Sequence, residues 1–397
     1  MKRTLLFLLL SAAGVMFTAA TVGFGQATPQ TKRPKGYYTV VPLRGVTVNA
    51  ARISAAAATT IPMWDYTITS PLDGAQYSGV MVGRSPFFHG ARTTDVPTII
   101  VPIILRMPDG GVYDPTAADA TCSPSGTALA LVQASPVLQP AMFTMGGTSV
   151  GTTQYTDAFQ RSNFWTNVSV TGDRYHTMLS PVTTLGAVTV NVPKGSGTTN
   201  DAKASGGCGS IGVMDINFWQ PYVEGTIIPS LAGQGVSPTT LPLFLFYNVV
   251  MAMGSTSLTN SSCCILGYHT ALGSPVQTYS QFDFDTTTIF GSPSSPSSPI
   301  SAMSHEVGEW MDDPLGSNFT PAWGNFGQVV GCQNDVEVGD PLTGTLFPSV
   351  AMSNGVTYAP QELAFFSWFY RQSPSIGING WYSDNGTFTT GAGPVCM

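Results

Sequence analysis

The stretch SAMSHEVGEWMDDPLG at 301–316 places one histidine and four carboxylates between His305 and Asp313, with no lysine or arginine among them. Only 9% of the 397 residues are Asp, Glu, Lys or Arg, against about 25% in an average soluble domain, so this local density of charge needs a cause. At about 100° per residue, Ile300, Met303, Val307, Trp310 and Met311 fall on one side of a helix. His305, Glu309 and Asp313 fall on the other, and Glu306 lies between the faces. His305 and Glu309 are one turn apart, so both can reach a single atom. Glu309, Asp312 and Asp313 occupy the last turn, where the helix dipole is already negative. A solvated polar face is the usual reading of such a helix; a bound cation is the reading that removes the conflict.

A second acidic element, CQNDVEVGDPLTG at 332–344, adds Asp335, Glu337 and Asp340. By itself it reads as an acidic turn into a Gly/Pro corner, or as an all-oxygen calcium site. His269 in LGYHTAL could face the metal or simply be hydrogen-bonded in a sheet, whereas His89 and His176 have no ligand spacing. The Ser-rich stretches contain no GxSxG, and GSGTTNDAKASGG lacks the GK[ST] ending of a phosphate loop, so those stretches lend no support to serine hydrolysis or nucleotide chemistry.

HEVGE is one residue from the HExxH pattern and resembles the active-site helix of zincin metallopeptidases. The resemblance implies that His305 and Glu309 bind the metal, Glu306 serves as general base, and Glu337 is the third ligand, with Asp340 and Asp313 as supporting groups or alternative ligands. Glu309 stands where zincins carry histidine. A carboxylate still ligates zinc, and it moves the preference toward harder ions, so zinc is expected and calcium is the alternative. The larger pattern SHExxE…DP…EVGD, over roughly 240–345, also resembles secreted bacterial and fungal proteins distantly similar to the plant phosphate-induced Exordium proteins.

The elements that must position these residues are β-rich. LPLFLFYNVVMAM (241–253) reads as a buried strand, with CCILGYHTAL and VQTYSQFDFDT as sheet neighbours. VPTIIVPIILRMPDGGVYDPT is a strand and turn, and TQYTDAFQRSNFWTNV a helix with a buried aromatic face. Ser298 as N-cap and Pro299 at the first position predict a helix over 299–312, stopped by Pro314 and Gly316. The expected fold is α+β, an antiparallel sheet carrying a zincin-like active-site helix.

Lys2 and Arg3 followed by the apolar run Leu5 to Ala20 predict a signal peptide over 1–27. Residues 28–60 read as a linker or pro-segment, 61–210 as a β-rich part that Gly/Ser-rich 195–210 closes, and 211–397 as the part with the metal site; the last two could form one domain. Export predicts oxidised cysteines, and a bond between adjacent Cys263 and Cys264 is disfavoured, so different partners are expected. A net charge of −7 and no basic run argue against nucleic acid, and no stable membrane span remains after signal removal. Two functions follow as expectations. One is a secreted metallopeptidase acting on a peptide or protein, with Tyr358 or Tyr382 offered to the oxyanion. The other is a non-enzymatic exported surface or glycan-binding protein with a structural ion.

Overall fold

The apolar runs become the middle of one eleven-stranded mixed sheet in a computed structural model that describes residues 33–41, 59–88, 92–172, 174–291, 298–393 and Cys396. The predicted signal peptide lies outside the described residues. In chain order the strands are β1 (Tyr37–Val41), β2 (Arg92–Arg106), β3 (Val112–Tyr113), β4 (Tyr175–Thr184), β5 (Val188–Asn191) and β6 (Gly197–Asp201). They continue with β7 (Ser210–Asp215), β8 (Leu241–Tyr247), β9 (Val249–Ala252), β10 (Cys263–Leu272) and β11 (Gln277–Phe284). The order across the sheet is β6-β7-β9-β10-β11-β8-β2-β3, with β1 alongside β10 and both β4 and β5 alongside β2. Strand residues outnumber helical ones, 36% against 20%, so the fold is β-rich as expected.

The expected antiparallel sheet is corrected to a mixed one. Every antiparallel pair (β2–β3, β6–β7, β9–β10, β10–β11) joins strands consecutive in the chain. Every parallel pair joins strands that are not consecutive. Such pairs need long connections, many of them helical, and alternation along a strand does not report them.

Alternating side chains feed two cores. Leu243, Leu245, Phe282 and Phe284 enter one, together with Met303, Val307, Trp310 and Met311. Phe244, Phe246, Tyr268 and Tyr279 enter the other, under Trp219, Val223 and Ile227. Helices therefore cover both faces: α1 (Tyr155–Asn163) and α3 (Ser301–Asp312) belong to the first core, and α2 (Ile216–Tyr222) to the second. Burial of Tyr155, Ala158, Phe159 and Phe164 agrees with the aromatic face read from the sequence.

Several local expectations change. The run at 241–253 breaks into two strands at Asn248, whose φ of 51° ends the first. Residues 195–210, read as a loop and boundary, supply the edge strand β6, and residues 33–397 form one unit. Tyr37–Val41, inside the stretch read as linker or pro-segment, pairs in parallel with β10. All six cysteines are bonded, as Cys122–Cys208, Cys332–Cys396 and Cys263–Cys264. The adjacent pair thus bonds to itself, against expectation, and the other four cysteines pair with one another. Among the described residues no helix is long and apolar enough to cross a membrane.

Candidate metal centre

α3 begins two residues later than the N-cap signal implied. Ser298 does not cap it, because its hydroxyl donates to the Ala359 carbonyl; a turn closed by Ser301 N–H on Ser298 O (3.0 Å) leads in instead. All twelve residues of the helix are buried, the charged side as fully as the apolar side. Glu306 lies over Gly267 of β10, where a Cβ would come within 2.7 Å of its Cγ. Trp310 donates to Thr278 of β11 (3.0 Å). The charged residues of the helix are thereby pressed into the protein.

Five side chains gather there. His305 Nε2 is 2.9 Å from Glu309 Oε1 and 3.5 Å from Asp340 Oδ1. His269 Nδ1, from β10, is 3.2 Å from Glu306 Oε2 and 3.8 Å from Glu309 Oε2. His305–Glu309–Asp340 and His269–Glu306–Glu309 each offer three ligand atoms within 4.8 Å of one another. Both ring nitrogens of His305, Glu306 Oε1 and Glu309 Oε2 are buried without a hydrogen bond. Buried polar atoms in native proteins are ordinarily paired, so these orphans indicate a missing partner, and their donor set of imidazoles and carboxylates suits a metal ion. The cluster can hold a metal.

The electrostatics agree. Burial, then Glu309, holds the Glu306 carboxyl well above the usual carboxylate range, and the same causes act on Glu337 and, less strongly, on Asp340. Burial works against a charged His305, but Glu309, Asp340 and Glu306 outweigh it and hold the ring well above its ordinary value. Burial pushes His269 down to about 3. His269 is therefore neutral. Its Nε2 donates to the Asp313 carbonyl at 3.0 Å, which fixes the tautomer and leaves the Nδ1 lone pair directed at two carboxylates. Among the described residues, the ion-pair partners of Glu306, Glu309 and Asp340 are histidines.

A supporting layer fixes each group. The His305 ring is stacked on Tyr38 at 3.7 Å and rests on Gly339 at its other face. Gly339 N–H donates to Glu309 Oε1 at 3.1 Å. Gln333 donates to Asp340 Oδ2 at 3.0 Å, and Gln328 donates to Oδ1. The same Gln328 amide brackets Tyr38, accepting from its N–H at 2.8 Å and donating to its carbonyl at 2.9 Å. Gln361 holds Ser304 Oγ through its N–H (2.9 Å) and the Gly339 carbonyl through its side chain (2.7 Å).

Behind Gln361, the Tyr155 hydroxyl contacts both the Gln361 carbonyl and Asp384 Oδ2. One hydroxyl proton cannot serve two acceptors, so a protonated Asp384 completes the pair. Burial and the neighbouring Glu362 hold Asp384 well above the carboxylate range. A raised folded-state pKa contributes stability that is full below the unfolded value of about 3.9 and is lost as pH rises through the folded value. Asp384→Asn, which keeps a donor for Tyr155, should flatten that part of the pH profile in urea titrations. An unchanged profile would mean that Asp384 is ionised.

Of the residues expected from the sequence, His305, Glu309 and Asp340 come together, and Glu306 joins the second group. Glu337 is buried, with Oε1 unpaired and Glu309 as the strongest charge upon it, but it enters neither group. The Asp313 carboxylate accepts from Ser317 and Asn318 N–H (2.9 Å each), so it is the Asp313 carbonyl that supports the centre. Tyr358 and Tyr382 donate to the Leu131 and Gln372 carbonyls and lie in other networks. His269, read as facing the metal or as a sheet histidine, lies against Glu306 and Glu309; Tyr38 as a cover was not expected. No protein family, no curated protein and no solved structure matches this chain.

Proposed function

We propose that this chain is an exported metal-dependent hydrolase acting on peptide bonds, latent in the conformation described. The observation that carries the metal is the set of orphaned nitrogens and oxygens around Glu309. His305, Glu309 and Asp340 would hold the ion. Imidazole nitrogens favour zinc or a similar transition ion over calcium, which prefers oxygen alone. Such an ion supplies Lewis acidity and makes water acidic near neutral pH. Glu306 accepts the proton: its Oε1 has no other partner, and burial raises its affinity for one. The three disulfides support export. Tyr38 supports latency, because its ring covers His305.

One observation favours the second reading, a non-enzymatic exported protein with a structural ion. His269, His305, Glu306 and Glu309 are all 0% exposed, so substrate has no direct path to them in this conformation. Cleavage of a mixed peptide library by the full chain separates the two. Tyr38→Ala should raise cleavage by about tenfold or more, and adding Glu306→Gln should abolish it while the ion stays bound, as loss of a positioned general base costs roughly 10²–10⁴-fold. A Tyr38→Ala protein that retains its ion and cleaves nothing would leave the structural role.

A further inference from the structure

We propose that the centre holds two divalent cations bridged by Glu309, one against His305 and Asp340 and the other against His269 and Glu306. This rests on the metal-binding half of the reading above and does not depend on hydrolysis.

The two groups of potential ligands share only Glu309, and neither contains both histidines. The two oxygens of Glu309 are divided between them. Oε1 is the atom 2.9 Å from His305 Nε2, and Oε2 is the atom 3.8 Å from His269 Nδ1. Each side therefore assembles one imidazole nitrogen, one carboxylate of its own and one oxygen of a shared carboxylate. An ion with bonds of about 2.0–2.2 Å accepts donors no more than roughly 4.4 Å apart, and the histidine-to-carboxylate separations of 2.9 and 3.5 Å on one side and 3.2 and 3.8 Å on the other lie inside that limit. A carboxylate used through both oxygens suits a pair of ions roughly 3.5–4 Å apart.

The unpaired atoms occur on both sides. On the first, both nitrogens of His305 lack a hydrogen bond; on the second, Glu306 Oε1 and Glu309 Oε2 lack one. On the second side His269 Nδ1 also presents a lone pair to two carboxylates, since its Nε2 is committed to the Asp313 carbonyl. A cation between them would take that lone pair and one oxygen of each carboxylate as ligands.

Glu306, Glu309 and Asp340 are all buried, and among the described residues their ion-pair partners are histidines. Glu306 bound through Oε2 keeps Oε1 for the proton, so a second ion is compatible with the role given to it above.

The test is stoichiometry on the full chain, stripped with chelator, reloaded with Zn²⁺ or Mn²⁺ and desalted. Elemental analysis should give two ions per chain, falling to one in His269→Ala and to one in Asp340→Ala. The Mn²⁺ form should show the broadened, exchange-coupled electron paramagnetic resonance signal of a pair, replaced in His269→Ala by the six-line signal of an isolated ion. Because His269→Ala also loses a bond to Asp313 and could misfold, the wild-type stoichiometry and spectrum decide without it. One ion per chain with an uncoupled spectrum overturns the second site and leaves the first. No ion retained overturns both.

Discussion

Glu309→Ala should retain no divalent ion after desalting, where the wild-type chain retains its full complement. Glu309 is the one residue common to both ligand groups. Its Oε1 also accepts the Gly339 N–H at 3.1 Å, which ties the helix to the loop that carries Asp340. Alanine removes an oxygen from each side and loosens that loop. The effect on stability should depend on the ion. An ion present at 100–1,000 times its dissociation constant stabilises the fold by about 2.7–4.1 kcal/mol, and the variant should lose that amount. In chelator the comparison changes, because the wild-type chain then holds Glu306, Glu309, Glu337 and Asp340 together without a cation. Removing one of those carboxylates should cost much less there, and relief of like-charge repulsion works in the variant's favour. Urea titrations of both proteins, with zinc and with chelator, measure the difference. A Glu309→Ala protein that keeps its metal, or that is equally impaired in both conditions, would reduce Glu309 to a packing residue.

The parts of this centre visible in the sequence are those set by local geometry. The i,i+4 spacing of His305 and Glu309 follows from the helical period, and their convergence is what a helix dictates. The DVEVGD loop was recognisable as acidic, but which of its carboxylates faces the helix was not. Asp340 opens a short 3-10 turn at Asp340–Leu342, and its side chain comes within 3.5 Å of His305, whereas Glu337 stays outside both groups. That choice depends on a turn geometry that composition does not specify.

The place of His269 was left open by the sequence, and that of Tyr38 hidden, for a different reason. Both reach the centre through strand register between segments far apart in the chain. His269 pairs with Ser280 and Tyr38 with Gly267, and an alternating apolar pattern encodes neither partner. Gly267 carried a usable signal. A glycine inside an otherwise bulky strand indicates close approach of another group, and here that group is Glu306. The mixed character of the sheet was illegible for the same reason: residue alternation reports a strand but not the direction of its neighbour.

Gly339→Ala should disrupt the centre strongly. A Cβ at this position would lie 2.3 Å from His305 Nδ1, 2.5 Å from Cε1 and 2.6 Å from Cγ. The ring cannot easily withdraw, because Tyr38 is stacked on it at 3.7 Å. Gly339 is held as well, by its N–H on Glu309 at 3.1 Å and its carbonyl under Gln361 at 2.7 Å. Backbone strain is not the cause, since φ is −86° and ψ −32°, where alanine is at ease. By chain entropy alone the substitution would stabilise by about 0.4–1 kcal/mol. Overpacking a filled site costs roughly 1–3 kcal/mol, and displacement of the ring adds the loss of bound metal. The expected result is a lower urea midpoint in chelator and a further loss of stabilisation by zinc. Tyr38→Ala supplies the control. It empties the space on the far side of the ring, so in the double variant the methyl group should cost less than it does alone, a coupling that a double-mutant cycle reads directly. Strict additivity would show that His305 is not clamped between Tyr38 and Gly339. A Gly339→Ala protein with full metal content would remove that loop from the centre altogether.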